Sequence, residues 1–373
     1  MFEALVNAFR APDIRRRILF ILGMLVIVRM LAHVPVPGVD RDALENLIGE
    51  NSFLQMMNLF SGGGLQNFSV IAMGVNPYIT SSIIMQLMTG VVPRLQQLSR
   101  EGEYGRQKIN AYTRRLTVPL AVLQAYGYLA LLNSSDVISG FDITSFATLT
   151  QIITLTAGTI LVMWIGELIS ERGIGNGISF IIFAGIIAGL PGAVTTFLAS
   201  PDLAAGLAFA ALAIAAVTVI VYVQEGQRRI PIQYASRVRG RRMYQGGATF
   251  LPLRVNQAGV IPIIFAVSIL LFPVQMATYF SASGGVIEDI ANTIITWLSQ
   301  GSPIYALTFF LLVVGFTYFY TAFTFKPDET ADQLRKNGGF IPGIRPGAPT
   351  RDYLARVVFR ISLAGAIFLG IVA

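Results

Sequence analysis

The chain contains no cysteine and a single histidine, His33. Without cysteine there are no disulfides and no thiolate metal sites. With one histidine, a zinc centre built on imidazoles is excluded, and His33 reads as an interfacial residue at the end of an apolar stretch. Charge is scarce as well. Asp, Glu, Lys and Arg make up 13% of the residues, against roughly 25% in soluble domains. No GxxxxGK[ST] phosphate loop is present, so the chain carries no nucleotide-driven motor of its own. Nor is there a cluster of histidine, cysteine or acids on which an intramembrane enzyme could be built. What the sequence has in abundance is apolar surface: 54% of its 373 residues are hydrophobic and the mean hydropathy is +0.64. These proportions describe an all-α polytopic membrane protein.

Arg15, Arg16 and Arg17 precede an apolar run from Ile18 to Val28, the layout of a signal peptide. Arg29 follows that run at once, and "MLAHVPVPG" offers no small-x-small cleavage site, so a retained first span is expected. Hydropathy gives nine candidate transmembrane helices, near residues 15–34, 75–92, 117–133, 147–168, 178–198, 204–223, 257–276, 303–324 and 355–373. Charge orients them. Of the 27 lysines and arginines, 25 fall in the N-terminal segment and in every second connection, namely 94–116, 170–177, 224–256 and 325–360. The positive-inside rule places the N-terminus and these loops in the cytoplasm, and the net charge of +7 belongs to that face.

Two of the basic loops are long, from Gln224 to Asn256 and from Lys326 to Arg356. Long loops are usually functional or disordered. One reading is a topology signal that also meets lipid headgroups. The other is docking of a large, partly anionic cytosolic partner. "GGFIPGIRPG" favours docking, because Pro342, Pro346 and the glycines fix a turn that presents Arg345.

The apolar pattern is interrupted in two places. In "LFSGGGLQNFSVIAMGVNPYITSSIIMQLM", a triple glycine (Gly62 to Gly64) and the Gly74 to Pro77 break enclose a run too short to cross a bilayer. Leu65 to Met73 is therefore expected to be a short re-entrant helix in an external cavity. In "ERGIGNGISFIIFAGIIAGLP", Gly173, Gly175 and Gly177 precede another apolar run. Each break meets branched residues at i, i+4: Val75 with Ile79, and Ile178 with Ile182. A third span opens "NQAGVIPIIFAVSIL", with Ile264 just after Pro262. Such residues are either packing and lipid-facing side chains or a ring at mid-membrane that gates by dewetting. An ion-coupled secondary transporter also uses broken helices. It needs embedded acids, and the spans hold little charge beyond Arg29 and Glu167.

From about Arg15 to Ala373 the chain resembles the SecY family, the channel subunits of the bacterial protein translocase. The resemblance is carried by "FSGGGLQNFSVIAMGVNPYI", "REGEYGRQKINAYTR", "ERGIGNGISFIIFAGI", "QRRIPIQYASRVRGRR", "LPLRVNQAGVIP" and "FYTAFTFKPDETADQLRKNGGFIPGIRPG". It implies ten helices in two inverted-repeat halves around a central hourglass pore, here 1–200 and 201–373. Nine are counted, so the tenth is absent and a leaky or unstable pore is expected. It implies a plug over Ser61 to Ala72, with Ser61, Leu65, Phe68 and Ile71. It implies a pore ring of Val75, Ile79, Ile83, Ile178, Ile182 and Ile264, and a lateral gate between the second and seventh spans. Arg229, Arg241, Arg242 and Arg345 match the loops that receive cytosolic partners. The implied function is a non-enzymatic, protein-conducting channel of the bacterial inner membrane, without cofactor or metal. Its implied partners are the small membrane subunits SecE and SecG, the SecA motor ATPase, the ribosome, signal sequences, nascent polypeptides and membrane lipids.

Overall fold

The structure, a computed structural model, describes residues 11–373 apart from 51–53, 56–57, 59–60, 136, 139–141, 143–144, 200–202, 235–236, 240–241, 245–247, 281–285 and 300. A helix lies over each of the nine apolar stretches: α1 (Pro12–Leu31), α3 (Asn76–Val91), α5 (Glu103–Ser134), α6 (Phe146–Arg172), α7 (Gly177–Ala199), α8 (Leu203–Glu225), α9 (Ile261–Phe280), α11 (Pro303–Thr324) and α13 (Ala348–Val372). Among the described residues, shorter helices join them: α2 (Arg41–Glu50), α4 (Pro93–Arg100), α10 (Val286–Trp297) and α12 (Pro327–Lys336). Among the described residues, five helical stretches are long and apolar enough to cross a membrane. They are Glu103–Asn133, Phe146–Arg172, Ala204–Glu225, Pro303–Lys336 and Ala348–Val372. Helix ends follow local chemistry. α1 and α3 open with proline in the first turn, where no intrahelical N–H is needed. α6 stops at Gly173.

The chain divides into two compact units, Met1–Ser200 with Ser268–Ser302, and Pro201–Val267 with Pro303–Ala373. In the first, α5 packs on α3 and α6, and α6 on α7 and α1. Glycine allows the closest approach. A Cβ on Gly177 would lie 2.0 Å from the Gly166 carbonyl oxygen, so α6 and α7 meet backbone to backbone there. The core of this unit gathers Ala121, Ala125, Leu129 and Leu132 of α5, Leu155 of α6, Leu44 of α2, and Leu65, Phe68 and Met73 from the interrupted segment.

The second unit corrects the all-α expectation. Its two long basic loops fold as strands: β1 (Gln227–Tyr234), β2 (Arg237–Arg239), β3 (Arg242–Tyr244), β4 (Ala248–Arg254) and β5 (Gly339–Phe340). β1 pairs antiparallel with β4, from Gln227 opposite Arg254 to Gln233 opposite Ala248. On its other side β1 pairs with β5, Gln233 opposite Phe340 and Tyr234 opposite Gly339. β5 is too short to reach Pro231, so that residue, which has no N–H to donate, faces no third strand. The physical reason for the sheet is period-two alternation. Ile230 and Ile232 turn inward while Arg229 and Pro231 turn outward. The inward face packs on Leu334 of α12 and on Leu354, Val357 and Val358 of α13. The loops are thus one folded body.

Candidate functional site

Residues 61–75, just ahead of α3, are not a helix, which corrects the expectation for Leu65 to Met73. They form a chain of tight turns. Phe68 N–H donates to Leu65 C=O at 2.8 Å, Ala72 N–H to Ser69 C=O at 2.8 Å, and Gly74 N–H to Ile71 C=O at 2.8 Å. Left-handed backbone at Gly62, Gly63, Phe68 and Gly74 interrupts any helical run. Phe68, at φ 40°, is the only non-glycine among the described residues to adopt it.

The segment is stitched instead to the connection between α1 and α2. Val36 N–H donates to Phe68 C=O at 2.8 Å and Val70 N–H to Val34 C=O at 3.0 Å, forming a bridge between Pro35 and Ser69. Asn67 Nδ2 donates to the Ala32 carbonyl at 3.3 Å. Gln66 Nε2 donates to Glu45 Oε1 at 3.1 Å. Arg29 Nη1 donates to the Gly62 carbonyl.

Ser61, Leu65, Phe68 and Ile71 are all buried. Leu65 and Phe68 enter the core with α5, while Ser61 and Ile71 line a cavity of about 40 Å³. α6 runs directly behind. A Cβ on Gly158 would lie 1.8 Å from the Val70 carbonyl oxygen.

The candidate ring residues of the first unit occupy different settings. Val75 immediately precedes α3, and Ile79 and Ile83 follow at four-residue steps on one helix face; their exposures are 2%, 7% and 3%. Ile182 of α7 is buried at 7% exposure. Ile178 is seated on α6, since a Cβ on Gly166 would meet its Cδ1 at 2.4 Å. Where Val75 reaches the cavity, α7 contributes Ile181 rather than Ile178 or Ile182. Sequence reasoning missed Ile181, although its i, i+3 spacing from Ile178 was a usable signal. Ile264, half-buried near the start of α9, belongs to the second unit.

The candidate docking arginines also sit in the second unit. Arg229 is exposed on β1, its guanidinium 4.9 Å from the ring of Phe250 on β4. Arg345 is exposed on a fixed turn. Ile344 N–H donates to Ile341 C=O at 3.0 Å, Gly343 has φ 82°, and Thr350 Oγ1 donates to the Arg345 carbonyl at 2.8 Å. Nearby cations are neutralised: Lys326 by Glu329 at 2.9 Å, Arg335 by Asp332 at 3.2 Å, and Arg351 by Asp352 at 2.8 Å. Arg345 has no carboxylate partner among the described residues. Arg242 lies in β3, opposite Arg239 in register. Arg241 lies outside the described residues.

A family model described as SecY matches residues 69–373. The chain belongs to the SecY family. Among its SecY relatives, the "Protein translocase subunit SecY" of Streptomyces scabiei is 43% identical over 393 residues, covering all of this chain and 88% of the relative. The subunit of Mycobacterium tuberculosis (strain ATCC 25618 / H37Rv) is 45% identical over 391 residues with the same coverage. Two solved structures share the SecY fold. One is described as "The structure of a protein conducting channel", with a TM-score of 0.65 at 18% identity over 95% of this chain and 84% of that one. The other is "Sec61 in the Canine ribosome-channel complex from the endoplasmic reticulum", with a TM-score of 0.60 at 18% identity over 94% and 83%.

Proposed function

We propose that the chain is a protein-conducting channel that passes unfolded secretory polypeptides across the bacterial inner membrane and releases apolar helices sideways into lipid. The observation that carries this reading is the joint between the turn segment and α3. There Ser61 and Ile71 meet Val75 at one small cavity, and the aliphatic row continues through Ile79 and Ile83. In this reading residues 61–72 are the plug, and the aliphatic residues are the constriction, completed by Ile178, Ile182 and Ile264. Aliphatic side chains offer a passing polypeptide no hydrogen bonds, and they hold water out when it is absent. The nine apolar helices span the membrane, with 1–200 and 201–373 as the two halves around an hourglass pore and a lateral gate between α3 and α9. The N-terminus and the sheet face the cytoplasm, because the basic residues lie on that side.

Energy comes from outside the chain, from a SecA motor or from a translating ribosome. Both dock on the strand-bearing loops, through Arg229, Arg241 and Arg242 and through the Arg345 turn. SecE and SecG are the small membrane partners in this assembly. An ion-coupled transporter is not favoured, since the embedded Glu167 is held by Arg114 at 3.2 Å.

The test replaces Val75, Ile79 and Ile182 together with serine and records resting ion conductance in planar bilayers. A hydrated constriction conducts more than the wild type. Conductance equal to the wild type overturns the assignment of these residues to the pore.

A further inference from the structure

Arg29 is the one arginine of α1 beyond the apolar run Ile18 to Val28, and neither helix orientation nor docking makes use of it. Arg29 is exposed, and what singles it out is the group its guanidinium meets. It stands in the last turn of α1. Among the described residues no carboxylate pairs with it. Its Nη1 donates instead to the carbonyl of Gly62, where the turn segment begins. A Cβ on Gly62 or Gly63 would lie 3.7 or 3.9 Å from that nitrogen, so the guanidinium rests against both glycines. α7 also approaches Gly62, since the same Cβ would lie 2.8 Å from the Cα of Gly185. Gly62 thus contacts both the Arg29 side chain and the backbone of α7. Arg29, Gly62, Gly185 and Val75 all border the cavity of about 40 Å³.

The geometry points to Arg29 as a positioning residue that latches the plug in its seat. The inference rests on the reading of residues 61–72 as the plug of a channel. A guanidinium on a carbonyl makes a charge-assisted hydrogen bond, stronger than a neutral one. Its acceptor is uncharged, so release leaves no buried anion behind. Water or the backbone carbonyl of a passing polypeptide can take the place of Gly62. The latch is therefore firm at rest and open to exchange when a substrate enters.

The test uses the full chain in planar bilayers, with Arg29→Leu, Arg29→Lys, Gly62→Ala and the Arg29→Leu/Gly62→Ala double variant. Arg29→Leu should raise resting open probability about 10- to 100-fold, the loss expected for one hydrogen bond to a charged group. Arg29→Lys keeps a charged donor and should recover most of the closed state, which a purely packing role would not predict. Gly62→Ala, strained at φ 66° and blocked by Gly185, should open the channel by displacing the acceptor itself. Added to it, Arg29→Leu should then have no further effect, because the two changes break one contact. Gly62→Ala conducting while Arg29→Leu stays silent overturns the latch and leaves the plug standing. So does a double variant whose effect is the product of the singles. Silence of every variant, Gly62→Ala included, overturns the plug reading itself.

Discussion

Gly158 of α6 offers a direct measure of how tightly the turn segment, the proposed plug, is seated. An added Cβ there would fall 1.8 Å from the Val70 carbonyl oxygen, 2.7 Å from its carbon and 2.9 Å from Val70 Cγ1. Two of these three atoms are main chain, so no side-chain rotation relieves the clash. α6 is itself gripped by α5 and α7, whereas the plug hangs on the α1–α2 connection through few bonds. The strain of Gly158→Ala therefore falls on the plug. Overpacking of a filled interior costs about 1–3 kcal/mol. Placed wholly on the seated state, that lowers the ratio of seated to displaced plug by about 5- to 150-fold, at 1.4 kcal/mol per tenfold. Amide exchange reads this ratio locally. The Val70 N–H, bound to Val34 C=O at 3.0 Å, and the Val36 N–H, bound to Phe68 C=O at 2.8 Å, should exchange faster by that factor. The amides of Leu129 and Leu132 in α5 should not change. Gly189→Ala, where nothing lies within 4 Å, is the control. Unchanged exchange at Val70 in a folded Gly158→Ala protein refutes the close seating.

Two further expectations concern the same seat and the sheet-bearing body. The hydroxyls of Ser69, Thr156 and Thr159 are buried with no hydrogen-bond partner among the described residues, and an unsatisfied polar group costs about 1–3 kcal/mol. Ser69→Ala and Thr159→Val should therefore tighten the closed state, lowering resting conductance and slowing exchange at Val70; faster exchange counts against this. For docking, neutralising Arg229, Arg241 and Arg242 should weaken ribosome co-sedimentation and flatten its salt dependence, since fewer phosphates are neutralised. Arg345→Glu should impair SecA-driven uptake of a preprotein into vesicles while topology stays intact. Normal uptake together with an unchanged salt slope reduces the loops to topology signals.

The apolar helices were legible because runs of about 20 apolar residues leave the backbone few alternatives. The turn segment was not. Its composition permits a helix, and what decides against one is pairing with Val34 and Val36, thirty-odd residues earlier, together with a left-handed Phe68. Arg29 was noted as an embedded charge, but its acceptor is a backbone carbonyl, which no residue type announces. On α7, spacing singled out Ile178 and Ile182, whereas the residue that lines the cavity beside Val75 is Ile181. Spacing could not choose between Ile181 and Ile182, since helix phase is set by how α7 rests on Gly166. In the loops, the alternation of "QRRIPIQY" was readable as a strand, but the two-residue β5 that joins one loop to the other carries no periodic signal.

That third strand has a consequence for biogenesis. β1 and β4 are neighbours along the chain and can pair as soon as both are made. β5 follows β1 by about a hundred residues, and at roughly 5–20 residues per second it arrives some 5–20 s later. α12 and α13, which supply Leu334 and Leu354 to the same core, come in that late portion as well. A half-made chain therefore exposes the apolar face of a bare hairpin and lacks the Arg345 turn altogether. The sheet becomes whole only after most of the apolar helices exist, so under the proposed docking a partner that needs both loops meets a chain whose apolar helices are already nearly complete.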